Sequence, residues 1–185
     1  MKKHATFPMF AACFALCLFW PCGASVLALQ PSPEQEYISQ ARAVYAKAQE
    51  AIAQGRGEPL AKNEITLNAT YMMPGSGQTN RKVELFFRTP EVDENGSLKT
   101  PALYMARESF NVAALKFYRE YLYDAAGEPL FFFARHDTYD QGPMEARYYY
   151  KNRQTVSAAP AGDGAEWLPR FDRIRALFQE YMAVQ

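Results

Sequence analysis

The spacing of apolar residues changes at Asn63, from the 3.6-residue period of a helix to the two-residue period of a strand. In the stretch NEITLNATYMM, Ile65, Leu67 and Tyr71 share one parity, while polar residues occupy the other. Further segments of this kind follow until about residue 157, and most are joined by short turns. This organisation predicts an antiparallel β-meander of six or seven strands.

A helical pattern precedes the strands. Ser32 is a suitable N-cap, Pro33 suits the first helical position, and Gln35 completes a capping box. Gly55 is a natural helix stop. Many of the apolar residues between these points are alanines, so we expect this N-terminal helix to pack closely on a neighbouring element.

A second helical pattern follows the strands. We expect a short turn at 163–168 and a helix from Pro169 to about Met182, because proline disrupts the interior of a helix. Phe171 and Ile174 begin a strong apolar stripe along this helix. The predicted fold class is α+β, with an N-terminal helix, an antiparallel meander and a C-terminal helix packed on the sheet.

The first 28 residues have the pattern of a secretory signal peptide. Lys2 and Lys3 give a positive start, residues 7–20 are apolar, and Ala28 is a small residue at the position that a signal peptidase reads. The apolar stretch is shorter than the roughly 20 residues that span a bilayer. Removal of this signal would leave 29–185 as one α+β domain, periplasmic or secreted and without stable membrane insertion.

The composition outside the signal excludes several chemistries. The three cysteines, Cys13, Cys17 and Cys22, all lie in the signal, so the remaining chain has no thiol. Of the two histidines only His136 remains, which excludes a site built from several histidines, and we predict no metal and no cofactor. Without its two signal lysines the chain carries 18 basic and 20 acidic groups. That balance offers no electrostatic reason to bind nucleic acid.

Arginines occur on the apolar parity of four strand patterns, where a charge is costly unless it is paired or reaches water. With two tyrosines of the same parity they form the predicted ligand-binding set: Arg107, Arg119, Arg135, Arg147, Tyr121 and Tyr149. In one interpretation the arginines lie near a rim and pair with Glu108, Glu120 or Glu145 across strands. In the other they line an aromatic pocket between sheet and helices and bind a carboxylate or phosphate.

Aromatic residues also crowd the opposite parity, among them Tyr118, Phe132 and Tyr148. If the first set points to the core, we expect this second set to face outward. A face with so many aromatic rings is not expected to be left in water. Either the second helix covers it or a partner molecule does.

The stretch HDTYD at 136–140 is the densest polar group of the sequence. His136, Asp137 and Asp140 could hold a divalent ion or act in general acid–base chemistry. The alternative is an Asx-type turn at a strand end, with the histidine hydrogen-bonded there.

Two units within the strand region echo each other: Y-x-Y-D-x-x-G at Tyr121–Gly127 and Y-Y-Y-K-N at Tyr148–Asn152. They resemble the β-hairpin units of secreted bacterial proteins with Tyr-Asp or MORN-type turns. The second unit lacks both the aspartate and the glycine of the first. Members of such groups mostly serve as binding or structural modules, so the resemblance implies that kind of role and supplies no active site.

The leading functional hypothesis is a non-catalytic periplasmic or secreted binding module. Its aromatic- and arginine-bearing sheet face would hold an anionic small molecule or a protein partner. The alternative is a small hydrolase or lyase that uses His136 with nearby carboxylates. The enzyme hypothesis requires His136, Asp137 and Asp140 to point into one cavity with an arginine.

Overall fold

The computed structural model describes residues 31–55, 63–88, 94–97 and 101–184. The predicted signal peptide and its three cysteines lie outside these residues. From residue 31 onward the described residues belong to one compact unit. No helix within these ranges is both long enough and apolar enough to cross a bilayer.

Seven strands in the described residues form one antiparallel sheet, and each strand pairs with its neighbours in the sequence. The strands are β1 Glu64–Met73, β2 Gly77–Arg88, β3 Ala102–Val112, β4 Leu115–Tyr123, β5 Pro129–His136, β6 Met144–Lys151 and β7 Gln154–Ala159. Helix α1, Pro33–Gly55, precedes the sheet, and helix α2, Leu168–Ala183, follows it. The predicted α+β class with an antiparallel sheet is confirmed.

Helix α1 begins with the predicted capping box. The backbone N–H of Gln35 donates to Oγ of Ser32 at 3.2 Å, and the backbone N–H of Ser32 donates to Oε1 of Gln35 at 3.0 Å. The buried positions of the helix are Ala41, Ala48 and Ile52. They contact one face of the sheet, so the alanine-rich side of the helix is its packing side.

A 3₁₀ turn, Gly164–Trp167, precedes α2 at the place where the sequence predicts a short turn. Oδ1 of Asp163 caps this turn by accepting a hydrogen bond from the N–H of Ala165 at 2.9 Å. Pro169 lies in the first turn of α2, where a backbone N–H would have no helical partner. The proline therefore sets where the helix begins.

The two helices cover opposite faces of the sheet. On the face that we call the α2 face, Tyr121 and Phe132 are buried against Phe171 of α2. On the other, the α1 face, Met105 and Leu122 are buried against α1. Aromatic residues occur on both parities because each parity supplies the core under one helix. A helix of this chain therefore covers each of the two aromatic-rich faces.

The expectation that the second aromatic set shares one face is wrong. Phe132 and Tyr148 are buried on the α2 face, whereas Tyr118 directs its hydroxyl into a polar network beneath α1. Parity relates residues only within one strand, because the register with the next strand decides which parity points to which face. Three strand pairs also contain a register shift: β2 with β3, β4 with β5, and β6 with β7. At each shift, the residues of one strand that point to a given face change from odd to even positions or the reverse.

Two hairpins use side chains and positive φ angles to make tight turns. Between β4 and β5, Oδ1 of Asp124 accepts two backbone N–H groups at 2.8 and 2.9 Å, and Gly127 has a φ of 80°. Between β6 and β7, Asn152 and Arg153 have φ angles of 52° and 62°, as a type I′ turn requires. Two hydrogen bonds from Arg153 to Asp172, at 2.7 and 3.1 Å, connect this turn to α2.

Replacing Phe171 with alanine should destabilise the protein by about 3–5 kcal/mol, the usual cost of removing a buried phenylalanine ring. Phe171 is fully buried, and its ring centroid lies 5.3 to 5.6 Å from those of Tyr121, Tyr123 and Tyr150. Urea unfolding followed by circular dichroism measures the loss. Tyr181→Ala, on an exposed position of the same helix, is the control and should cost about 0.5 kcal/mol. Equal losses would show that Phe171 does not anchor α2.

The stability of the fold should fall at alkaline pH. Burial raises the pKa of Tyr121, Tyr123 and Tyr150 on the α2 face. The unfolded chain releases its phenolic protons near pH 10, the ordinary tyrosine pKa, while the folded chain keeps these three to a higher pH. Between those values the unfolded state binds fewer protons, so the free energy of unfolding falls as the pH rises above about 10.

Parallel titrations of tyrosinate absorbance and circular dichroism check this expectation. The buried tyrosines should ionise only as the circular dichroism signal is lost. Ionisation of every tyrosine near pH 10 in a chain that stays folded would contradict it.

Candidate functional site

A cavity of about 390 Å³ lies between the α2 face of the sheet and helix α2, and we call it the α2 cavity. Four arginines and one carboxylate form its charged lining: Arg81, Arg119, Arg170, Arg173 and Glu108. The rest of the lining is aromatic or aliphatic: Tyr71, Phe110, Tyr121, Ile174 and Leu177. The cavity therefore combines a cationic part with an apolar wall.

Glu108 is at the centre of the charged lining, with only 2% of its surface exposed. Its Oε1 lies 2.8 Å from Nη2 of Arg81, and its Oε2 lies 3.3 Å from Nη1 of Arg119. The hydroxyl of Tyr121 donates to Oε2 at 2.9 Å, and Nη1 of Arg170 is 4.0 Å from the same oxygen. A buried carboxylate needs such partners, because burial of an unpaired charge is costly.

The register of the sheet brings the strand residues of the cavity together. Glu108 on β3 lies opposite Arg119 on β4, and Arg81 on β2 lies opposite Phe110 of β3. The guanidinium carbon of Arg119 lies 4.7 Å from the ring centroid of Phe110 and 5.4 Å from that of Trp167. These contacts orient Arg119 through cation–π attraction as well as through its ion pair.

Helix α2 supplies the other wall. Arg170 and Arg173 are three residues apart, and Ile174 and Leu177 continue the same side of the helix towards its end. The guanidinium carbon of Arg170 lies 5.8 Å from the ring centroid of Trp167. One side of the helix therefore presents two cations beside an apolar stripe.

The α2 cavity has an excess of positive charge. Four guanidinium groups face one carboxylate, which leaves a net charge of three positive units. Within the described part of the chain Arg173 has no ion-pair partner. Burial, and then the Glu108 carboxylate, raises the pKa of Tyr121, so its hydroxyl remains a protonated donor. Such an arrangement can bind an anion through paired guanidinium hydrogen bonds.

A second buried carboxylate, that of Glu120, lies beneath α1 on the opposite face and is 3% exposed. It accepts hydrogen bonds from the hydroxyls of Tyr45 and Tyr118 and from Nε2 of Gln49, and pairs with Nε of Arg107 at 3.2 Å. Burial, and then the hydrogen bond to this carboxylate, raises the pKa of both tyrosines. Arg107 is therefore half of a buried pair and lies away from the α2 cavity.

The remaining predicted residues also lie on the α1 face. Arg147 pairs with Glu145 at 2.6 Å, and its guanidinium carbon lies 5.1 Å from the ring centroid of Phe133. Arg135 is exposed and lies opposite Glu145 in the register of β5 and β6. Tyr149 is buried in the core under α1. The four predicted arginines are therefore not brought together.

Of the predicted ligand-binding residues, Arg119 and Tyr121 line the α2 cavity. The sequence-based reasoning missed Arg81, Arg170 and Arg173. Arg81 shares the apolar parity of β2, so the criterion that selected the other arginines could have found it. The two helix arginines give no such signal, because charges beside the apolar stripe of an amphipathic helix are ordinary.

The residues of the enzyme hypothesis do not line this cavity. His136 stacks on Phe117 with a centroid distance of 5.6 Å, and the backbone N–H of Asp137 donates to the carbonyl of Lys116 at 3.0 Å. Asp140 is exposed. Nowhere in the described ranges do three His, Cys, Asp or Glu side chains group so that they could hold a metal ion. The convergence that the enzyme hypothesis requires is not found at these three residues.

Replacing Glu120 with glutamine should cost about 3 kcal/mol, because Arg107, whose side chain is only 13% exposed, would lose its carboxylate partner. Urea unfolding measures the change in the free energy of unfolding. Glu145→Gln makes the same chemical change in an exposed pair, in which the side chains are 39% and 46% exposed, and should cost about 1 kcal/mol or less. Similar small losses in both variants would contradict a stabilising role for the buried network.

Comparisons with protein-family models, with curated proteins and with solved structures find no match. Proposals about the function of this chain therefore rest on the geometry of the α2 cavity.

Proposed function

We propose that the protein is a non-catalytic binding module that holds a small anionic molecule in the α2 cavity. The observation that carries this proposal is the charge of the cavity lining. Among its described residues, four are arginines and one, Glu108, is a carboxylate. Protein walls around the cavity lower the local dielectric constant. Charges there attract an anion more strongly than the same charges would on an open surface.

Three of the cavity arginines, Arg81, Arg119 and Arg170, already contact Glu108 before any ligand binds. The side chain of Arg119 is 11% exposed and is held by Glu108 and two aromatic rings. Those of Arg81 and Arg170 remain 42% exposed, which leaves N–H groups free to contact a ligand. A guanidinium that is already oriented loses little conformational freedom on binding, which favours affinity.

The size and the walls of the cavity support a small molecule over a protein partner. Its volume of about 390 Å³ lies within the range of roughly 300–1,000 Å³ that is typical of small-molecule sites. Tyr71, Ile174 and Leu177 offer apolar surface for an uncharged part of the ligand. The proposed binding site is therefore a pocket with one charged end and an apolar wall.

The proposal includes a location in the periplasm or outside the cell. It is supported by the signal-peptide pattern of residues 1–28. The resemblance of the hairpin units at Tyr121–Gly127 and Tyr148–Asn152 to those of secreted bacterial modules points the same way. Both observations are compatible with a binding role for the α2 cavity.

Isothermal titration calorimetry with inorganic phosphate and with benzoate tests the proposed site. Arg170→Gln should weaken the binding of both anions at least about tenfold, because it removes a charge-assisted hydrogen bond. Arg170 suits this test because its exposed side chain can be replaced without opening the core. No heat of binding for either anion in the unchanged protein would contradict the proposal.

Arg147→Gln is the matched control. It removes the same charge from the α1 face and should change the affinity less than about twofold, since salt screens distant exposed charges. An equal loss of affinity in Arg147→Gln and Arg170→Gln would indicate a general effect of net charge and would contradict a specific site.

A further inference from the structure

The headgroup that the α2 cavity can hold is limited by the way in which three of its arginines converge. Nitrogen atoms of Arg81, Arg119 and Arg170 lie 2.8, 3.3 and 4.0 Å from the two carboxylate oxygens of Glu108. Three guanidinium groups therefore gather around the Glu108 carboxylate at one end of the cavity. An anion that contacts more than one of these guanidinium groups needs several acceptor oxygens.

The charge of the cavity points to an anion with more than one negative charge. The net charge of three positive units would be mostly unbalanced by a single carboxylate or sulfonate. A phosphate monoester carries about −1.5 to −2 charges at pH 7 and has three strong acceptor oxygens. Those oxygens match the forked donors of the arginines.

The apolar wall next to the arginines indicates what the headgroup is attached to. Ile174 and Leu177 follow Arg170 and Arg173 on the same side of α2, and Phe110 adjoins Arg119. A ligand whose charged group meets the arginines thus places its next atoms against aliphatic and aromatic side chains. Burial of apolar surface there would add affinity.

We infer that the ligand is a phosphate monoester with an apolar substituent, and this inference rests on the proposed function of the α2 cavity. The arginines bind the phosphate oxygens, and the Glu108 carboxylate accepts a hydrogen bond from Arg119 and pairs with Arg81, which orients both side chains. The wall of Phe110, Ile174 and Leu177 contacts the substituent.

Calorimetry on the full chain with three probes tests the inference. Phenyl phosphate has the inferred chemistry, benzenesulfonate has the same ring and three oxygens but one charge, and inorganic phosphate has no ring. At about pH 7.5, where a phosphate monoester is mostly a dianion, phenyl phosphate should bind at least about tenfold more tightly than either of the others. Equal affinity for phenyl phosphate and benzenesulfonate would overturn the inference and leave the proposed anion site intact. No binding of any probe would overturn both.

A substitution in the apolar wall tests whether the wall contacts the ligand. Leu177→Ala should weaken phenyl phosphate about fivefold and leave the affinity for inorganic phosphate unchanged, because it removes apolar contact only. Arg170→Gln should weaken both probes, which separates the wall from the charged end. Unchanged affinity of Leu177→Ala for phenyl phosphate would overturn the inferred contact with the substituent.

A lipid headgroup and a soluble ester could both supply this chemistry, and a vesicle experiment distinguishes them. The protein is sedimented with phosphatidylcholine vesicles that contain either phosphatidic acid, a phosphate monoester, or phosphatidylglycerol, a diester with one charge. Sedimentation with the phosphatidic acid vesicles but not with the phosphatidylglycerol vesicles supports the inference and indicates that the ligand is a lipid. Tight binding of phenyl phosphate without sedimentation on either kind of vesicle supports the inference and indicates a soluble ligand. Equal sedimentation with both lipids would overturn monoester recognition.

Discussion

Two buried Arg–Glu pairs between adjacent strands are the interaction on which the rest of this structure depends. Strand β3 carries Arg107 and Glu108 in succession, and β4 carries Arg119 and Glu120. The antiparallel register sets Arg107 opposite Glu120 and Glu108 opposite Arg119. Because successive residues of a strand point to opposite faces, each face receives one carboxylate and one arginine. A slip of one residue would leave buried charges without partners on both faces, so the pairs favour one register.

The helices complete these pairs in different ways. Beneath α1, donors from Tyr45 and Gln49 join Arg107 around Glu120, and the carboxylate has partners on both oxygens. On the α2 face the arginines outnumber the carboxylate, and a cavity remains beside Glu108. The same sequence motif thus produces a closed network on one face and a cationic cavity on the other. This asymmetry is the physical basis for treating the α2 face as the candidate site.

Elements whose signals are local could be predicted from the sequence. The capping box of Ser32 and Gln35, the turn before α2 and the alternation within each strand all depend on residues a few positions apart. The lining of the α2 cavity was predicted less completely than the elements. Arg119 was predicted because it is a charge on an apolar parity, and it lines the α2 cavity. The same reasoning also selected Arg135, which is exposed on the other face, because parity does not carry over from strand to strand.

The sequence by itself therefore determined the elements, their order, and the presence of charged groups that need partners within the sheet. These properties follow from side-chain period, turn chemistry and the cost of burying a charge, which act over short stretches of chain. Only the tertiary structure decided that Arg81, Arg119 and Arg170 meet around Glu108. These residues lie far apart in the chain. Strand register and the packing of α2 bring them together, and no local pattern encodes that relation.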